Sequence, residues 1–136
     1  MAETVTTALR DLWKADAAVA AIVGEGVYRD ELPQTAPTPA LVLWLISDPR
    51  PVAHDGPVGF HPSRVQVDAL APSPGLADEL AEAAIAAARR GGIVGGVKLG
   101  AAFVLNGRSG AGRPGAGLDD PESRKSIDLE VWWNLL

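Results

Sequence analysis

Ser63-Arg64-Val65-Gln66-Val67-Asp68-Ala69-Leu70, then Pro72-Ser73-Pro74-Gly75 and an alanine-rich run ending in Arg89-Arg90-Gly91-Gly92, is the stretch whose reading decides the fold. Val65, Val67 and Ala69 alternate with Arg64, Gln66 and Asp68, and a period of two sends the two sets to opposite faces of a half-buried strand. Ser73 is placed to cap a helix and Pro74 to occupy its first turn, where the missing N–H would be unpaired anyway. Asp78, Glu79 and Glu82 fall early in that helix and Arg89 and Arg90 late, the order its dipole favours, before Gly91 and Gly92 end it. The centre of the chain therefore reads as strand, sharp turn, helix.

Upstream, Val5, Ala8, Leu9, Leu12 and Trp13 recur at helical spacing opposite Arg10, Asp11 and Lys14, which predicts an amphipathic helix over Thr4 to Lys14. Asp16 is set to cap a second, short helix, Ala17 to Val23, stopped by Gly24, and Val27-Tyr28 reads as a brief edge strand. Asp30 to Pro39, with Pro33, Pro37 and Pro39, is a connector. Ala40 to Ile46 is apolar at every position, as in a strand covered on both faces. Between it and the Ser63 strand, Ser47 to Pro62 carries four prolines and two glycines, and a connection of that length reads as a projecting arm.

Downstream, Val97, Leu99, Ala101, Phe103 and Leu105 alternate with polar or small residues and predict a strand sharing one face; Gly107 to Pro121 reads as a second long, glycine-rich loop. In Ser126 to Leu135, Ile127, Leu129, Val131, Trp133 and Leu135 face one way and Asp128, Glu130, Trp132 and Asn134 the other. The expectation is one α+β domain over residues 1–136: a mostly antiparallel four-stranded sheet, two to three helices on one face and two long projecting loops.

The chain has 136 residues, no cysteine and a net charge of −5. Its length suits one core. A disulfide framework, a thiolate zinc site and a cysteine nucleophile are excluded together. No stretch approaches the ~20 apolar residues of a membrane span, and Met-Ala-Glu-Thr is not a signal sequence, so a soluble cytoplasmic protein is expected. An acidic chain does not grip a phosphate backbone, which needs a clustered cationic face.

The search for chemistry returns weak patterns. Gly110-Ala-Gly112-Arg-Pro-Gly115 has the G-x-G-x-x-G spacing, but Pro114 and the flanking glycines open no helix and the next element is a strand, so a loop ordered by a partner fits better. His54, Asp55, His61 and Asp68 are suitable metal-ligand types without fixed spacing. Ser63, His61 and Asp55 do not form a triad, since no third group orients the base. No catalytic residue, metal site or cofactor is assigned. Trp132, on the face opposite Trp133, is either packed beneath another segment or an anchor in a subunit interface. Ala77, Ala81, Ala84 and Ala88 form a small-residue stripe that permits close approach to the sheet or to a neighbouring copy.

Ala8-Leu-Arg-Asp-Leu-Trp-Lys, Asp16-Ala-Ala-Val-Ala-Ala-Ile-Val-Gly24, Val27-Tyr28, the prolines before Ala40-Leu-Val-Leu-Trp, Arg64-Val-Gln-Val-Asp68-Ala-Leu and the helix after Pro74 together resemble the tail completion, or tail terminator, proteins of long-tailed bacteriophages and related particles. The resemblance covers most of the first 90 residues and is one of order and texture. The closing strand fits it, and Gly107 to Pro121 has no counterpart in it. It implies a non-catalytic virion protein forming a ring, commonly of six copies, at the head-proximal end of the tail tube. The ring would stop tube growth and join the tail to the head connector or stopper, with DNA passing unbound through the lumen. Candidate interface residues are Val52, Val58 and Phe60 in the arm, Arg108 and Arg113 in the glycine-rich loop, and Trp132. The alternatives are another ring protein of the neck, a stopper or adaptor, or a small ligand-binding α+β domain.

Overall fold

The computed structural model describes residues 4–49, 52–53, 56–57, 59–113 and 122–136. Thr4 caps α1 (Val5–Ala15), accepting a hydrogen bond from the Thr7 N–H, and Asp16 caps α2 (Ala17–Val23) through Val19. After β1 (Val27–Arg29), β2 (Ala40–Ser47) and a short hairpin of β3 (Val52–Ala53) and β4 (Gly56–Pro57), the chain enters β5 (His61–Ala71). Ser73 caps α3 (Pro74–Arg90), with Pro74 in the first turn and Gly91 at the C-cap. β6 (Gly92–Val94), β7 (Val97–Ala111) and β8 (Ser123–Leu135) follow.

The main sheet has six strands in the order β1-β2-β5-β8-β7-β6, with β1 parallel to β2 and every other neighbour antiparallel. It is a mixed, curled sheet, which corrects the expectation of four mostly antiparallel strands. The brief edge strand at Val27-Tyr28 joins this same sheet, parallel to β2, and β6, three residues long, is too short for a periodicity to register. The second long loop also begins later than expected, because Gly107 to Ala111 continue β7 and pair with Ser123 to Ile127 of β8.

One cluster of buried residues lies between the sheet and the helices: Val5, Leu9 and Trp13 of α1, Leu80, Ala84 and Ala88 of α3, and Leu41, Leu43, Val65, Val67, Ile127, Leu129, Val131 and Trp133 of the strands. Burying each of the larger apolar side chains contributes roughly 1.5–3 kcal/mol. The small residues of α3 lie against this sheet: Ala77, Ala81, Ala84 and Ala88 are all buried. The Trp13 indole N–H donates to the Ala84 carbonyl at 3.0 Å, so α1 is fixed to α3 without leaving a buried donor unpaired.

The alternation of β7 holds only at its start. Val97 and Leu99 are buried, but a register shift between Leu99 and Ala102 puts Ala102 inside and Ala101 and Phe103 outside. The shift falls at Gly100, where a Cβ would stand 3.0 Å from the Phe60 ring and 3.3 Å from the Trp132 carbonyl oxygen. Glycine lets the ring lie against the strand, and the parity slips there. Among the described residues no helix is long and apolar enough to cross a membrane.

Candidate assembly surface

The face of the sheet away from the helices is built from charge. Asp68, nearly fully buried, stands 3.8 Å from Arg124 and accepts from the Gln66 amide. Asp128 lies between Arg64 at 3.5 Å and Arg108 at 3.6 Å, one on each flanking strand. Glu130 accepts from the Trp132 indole N–H at 2.9 Å. Each carboxylate is thus tied to groups on its own or adjoining strands, which is what desolvated carboxylates require.

Trp132 points to this polar face, as its parity predicts. Its carbonyl neighbours Gly100, Phe60 packs on Gly100, and the Lys98 ammonium sits 5.6 Å from the centre of the Phe60 ring. Phe60 and Trp132 are therefore brought to one area of the surface, both half-buried. Arg108 is elsewhere, beside Asp128 on β7. Val52 falls in β3, and Val58, like His54, Asp55 and most of the Gly107 to Pro121 loop, lies outside the described residues.

Arg113 is tied down at the base of the loop. Its backbone N–H and guanidinium donate to the Glu122 carboxylate at 2.5 to 3.2 Å, and its other guanidinium nitrogen donates to the carbonyls of Pro33 at 2.9 Å and Gln34 at 3.1 Å. Burial pushes the Glu122 carboxyl up, but the Arg113 hydrogen bonds and charge outweigh that and hold it below its ordinary value. Gly112 of the glycine-rich motif is explained here, because a Cβ at that position would run into the Glu122 side chain. That glycine serves packing of the loop base.

The arm is closed at its root by a cluster missing from the sequence-based reading. Asp48 accepts from the Ser63 hydroxyl at 2.5 Å, Ser63 accepts from the Trp133 indole N–H at 2.8 Å, and the His61 ring stacks at a tilt on Trp133. His61 Nε2 is 3.8 Å from Asp48. The Ser63 oxygen is occupied by two structural bonds and is not presented as a nucleophile. His61 and Asp68 lie on opposite faces of β5, and among the described residues no group of three or more His, Asp and Glu side chains is placed to hold a metal. The legible signal of this cluster is parity, since His61 and Ser63 share the face of Val65.

Two concave spots line up with paired charges. A groove of about 450 Å³ is bordered by Arg10, Lys14, Tyr28, Arg29 and Glu31, where Arg10 meets Asp11 and Arg29 meets Asp30 and Thr7. A smaller one, about 210 Å³, is bordered by Trp44, Asp68, Arg113 and Arg124. In each, the lining arginines are already engaged by neighbouring groups.

A solved structure shares this fold. The chain matches one from the structure "Virion of native gene transfer agent (GTA) particle" at a TM-score of 0.58 and 20% identity, over 96% of this chain and 94% of that one. Residues 7–111 match the family model described as "Tail completion protein gp17", and the chain belongs to that family. It is a structural protein of a virion tail. The search of curated proteins finds no match.

Proposed function

We propose that the chain is a non-catalytic tail terminator: it forms a ring of six copies at the head-proximal end of the tail tube, stops tube growth and joins the tail to the head connector. It acts in the neck of the particle, on tails assembled in the host cytoplasm, and as one domain. The observation that carries this reading is the family match over residues 7–111, and the fold shared with a chain of a gene transfer agent virion supports it. DNA passes through the lumen without being held, in keeping with the net charge of −5, since a basic lumen would retain the duplex through its phosphates.

On this reading Phe60 and Trp132 are contact residues, Val52 and Val58 are the apolar anchors that the arm supplies, and Arg108 is a further point of contact. Arg113 serves the interface through the loop base it fixes. The arm carries the contact with the tube or the adjacent subunit because its root is bonded at Asp48 and Ser63, while β3 and β4 pair with each other apart from the main sheet. Replacing the tip between Pro49 and Gly59 by a short glycine turn should leave the circular dichroism spectrum unchanged and abolish capping of tail tubes seen by electron microscopy. Tubes still capped by the truncated protein would remove the arm from the interface.

A further inference from the structure

The sheet has two open edges at the same level. β1 accompanies β2 only as far as Leu43, and β6 accompanies β7 only from Val97 to Leu99. Among the described residues, Trp44 to Ser47 and Gly100 to Ala111 therefore have a strand on one side alone. Register joins the two edges: Leu45 is opposite Val65, Val65 opposite Leu129 and Leu129 opposite Val104. This row is closed in the middle, with Val65 and Leu129 buried, and open at its ends, with Leu45 43% and Val104 38% exposed. Ile46 lies beside one end, Phe103 and Leu105 beside the other, all exposed. Soluble proteins blunt or cover apolar edges of this kind.

Strand direction says what covers them. β2, β5, β8 and β7 are antiparallel in turn, so a second copy placed to continue the row brings its β2 antiparallel to β7 and the alternation runs on unbroken. Beyond the free edge β1 already lies along β2, with Tyr28 beside Val42 on the row of Arg108, so the contact is confined to Trp44 to Ser47 and the residues around Val104. Pairing β7 with β7 would leave Leu45 and Ile46 uncovered.

We propose that the β7 edge of one copy pairs antiparallel with the β2 edge of the next, Val104 opposite Leu45, so that a second copy of this chain occupies each edge. The contact joins two different patches and is therefore head-to-tail, the type that closes into rings when its rotation permits. It rests on the ring reading above and specifies the surface.

The absence of cysteine allows a direct test with the double variant Leu45→Cys, Val104→Cys, oxidised as concentrated purified protein and again on tails assembled without the native protein. Strand partners lie within disulfide reach. The expected result is a ladder of cross-linked species from the double variant and none from either single variant, with unchanged circular dichroism in all three. A dimer from Val104→Cys alone would mean β7 meets β7, and no ladder in either preparation would mean the edges do not meet; both overturn the pairing. Capping is scored separately by electron microscopy. Capped tails without a ladder sink the edge contact and keep the terminator reading, and a ladder from protein that ignores tubes does the reverse.

Discussion

Arg113 and Glu122 show how one ion pair can close the end of a hairpin. The pair lies at the last step of the β7–β8 pairing, where the Gly112 N–H donates to the Glu122 carbonyl at 2.8 Å; both side chains are largely shielded, and the guanidinium also reaches the connector before β2. A carboxyl held below its ordinary value of 4.5 takes up its proton in the unfolded chain first as the solution is acidified. Its contribution is thus fully present above the unfolded value and is lost as pH falls through the folded one. Glu122→Gln should lower stability at neutral pH by about 1–2 kcal/mol, in line with charged hydrogen bonds generally. In urea titrations the gap from the native protein should close in acid; a gap independent of pH would count against the charge. The sequence shows Arg113 only as a cation in a glycine-rich loop, because nothing local says that the chain returns to it at Glu122.

The helices and the centres of the long strands are legible at the scale of elements, and what fails there is continuity. Ser73, Pro74 and Gly91 bound α3 as the spacing predicts, since caps depend on a few neighbouring residues. Ile127, Leu129, Val131 and Trp133 are buried as their alternation requires. In β7 the same rule breaks at Gly100, where a ring from a distant segment lies on the strand, so Phe103 ends outside. The junction of α3 and β6 supplies a test. Gly91 has φ of +60° and a Cβ there would stand 2.5 Å from the Leu99 carbonyl oxygen. Gly91→Ala combines a left-handed backbone with a clash against β7 and should cost about 1–3 kcal/mol. Thermal unfolding of this variant with an unchanged midpoint would show that the helix end can move without the strand.

The outer face of the whole molecule joins carboxylates to arginines across strands, and the excess charge is negative. Fluorescence anisotropy with duplex DNA should therefore show no binding at physiological salt, where cationic proteins bind non-specifically with Kd of roughly 10⁻⁴–10⁻⁶ M. Measurable, salt-sensitive binding would point to a duplex-gripping role. The polar face was only partly legible: Trp132 faces out as its parity predicts, but the packing of Phe60 on Gly100 depends on the β5–β8 register. That register also sets the order of events on the ribosome. β8 pairs along its length with β5 on one side and β7 on the other, yet it is synthesised after both. A nascent chain that has already exposed β2, β5, α3 and β7 still lacks the strand that joins them, so β5 waits with one edge unpaired and β7 beyond Leu99 with both until Ser123 to Leu135 have been made.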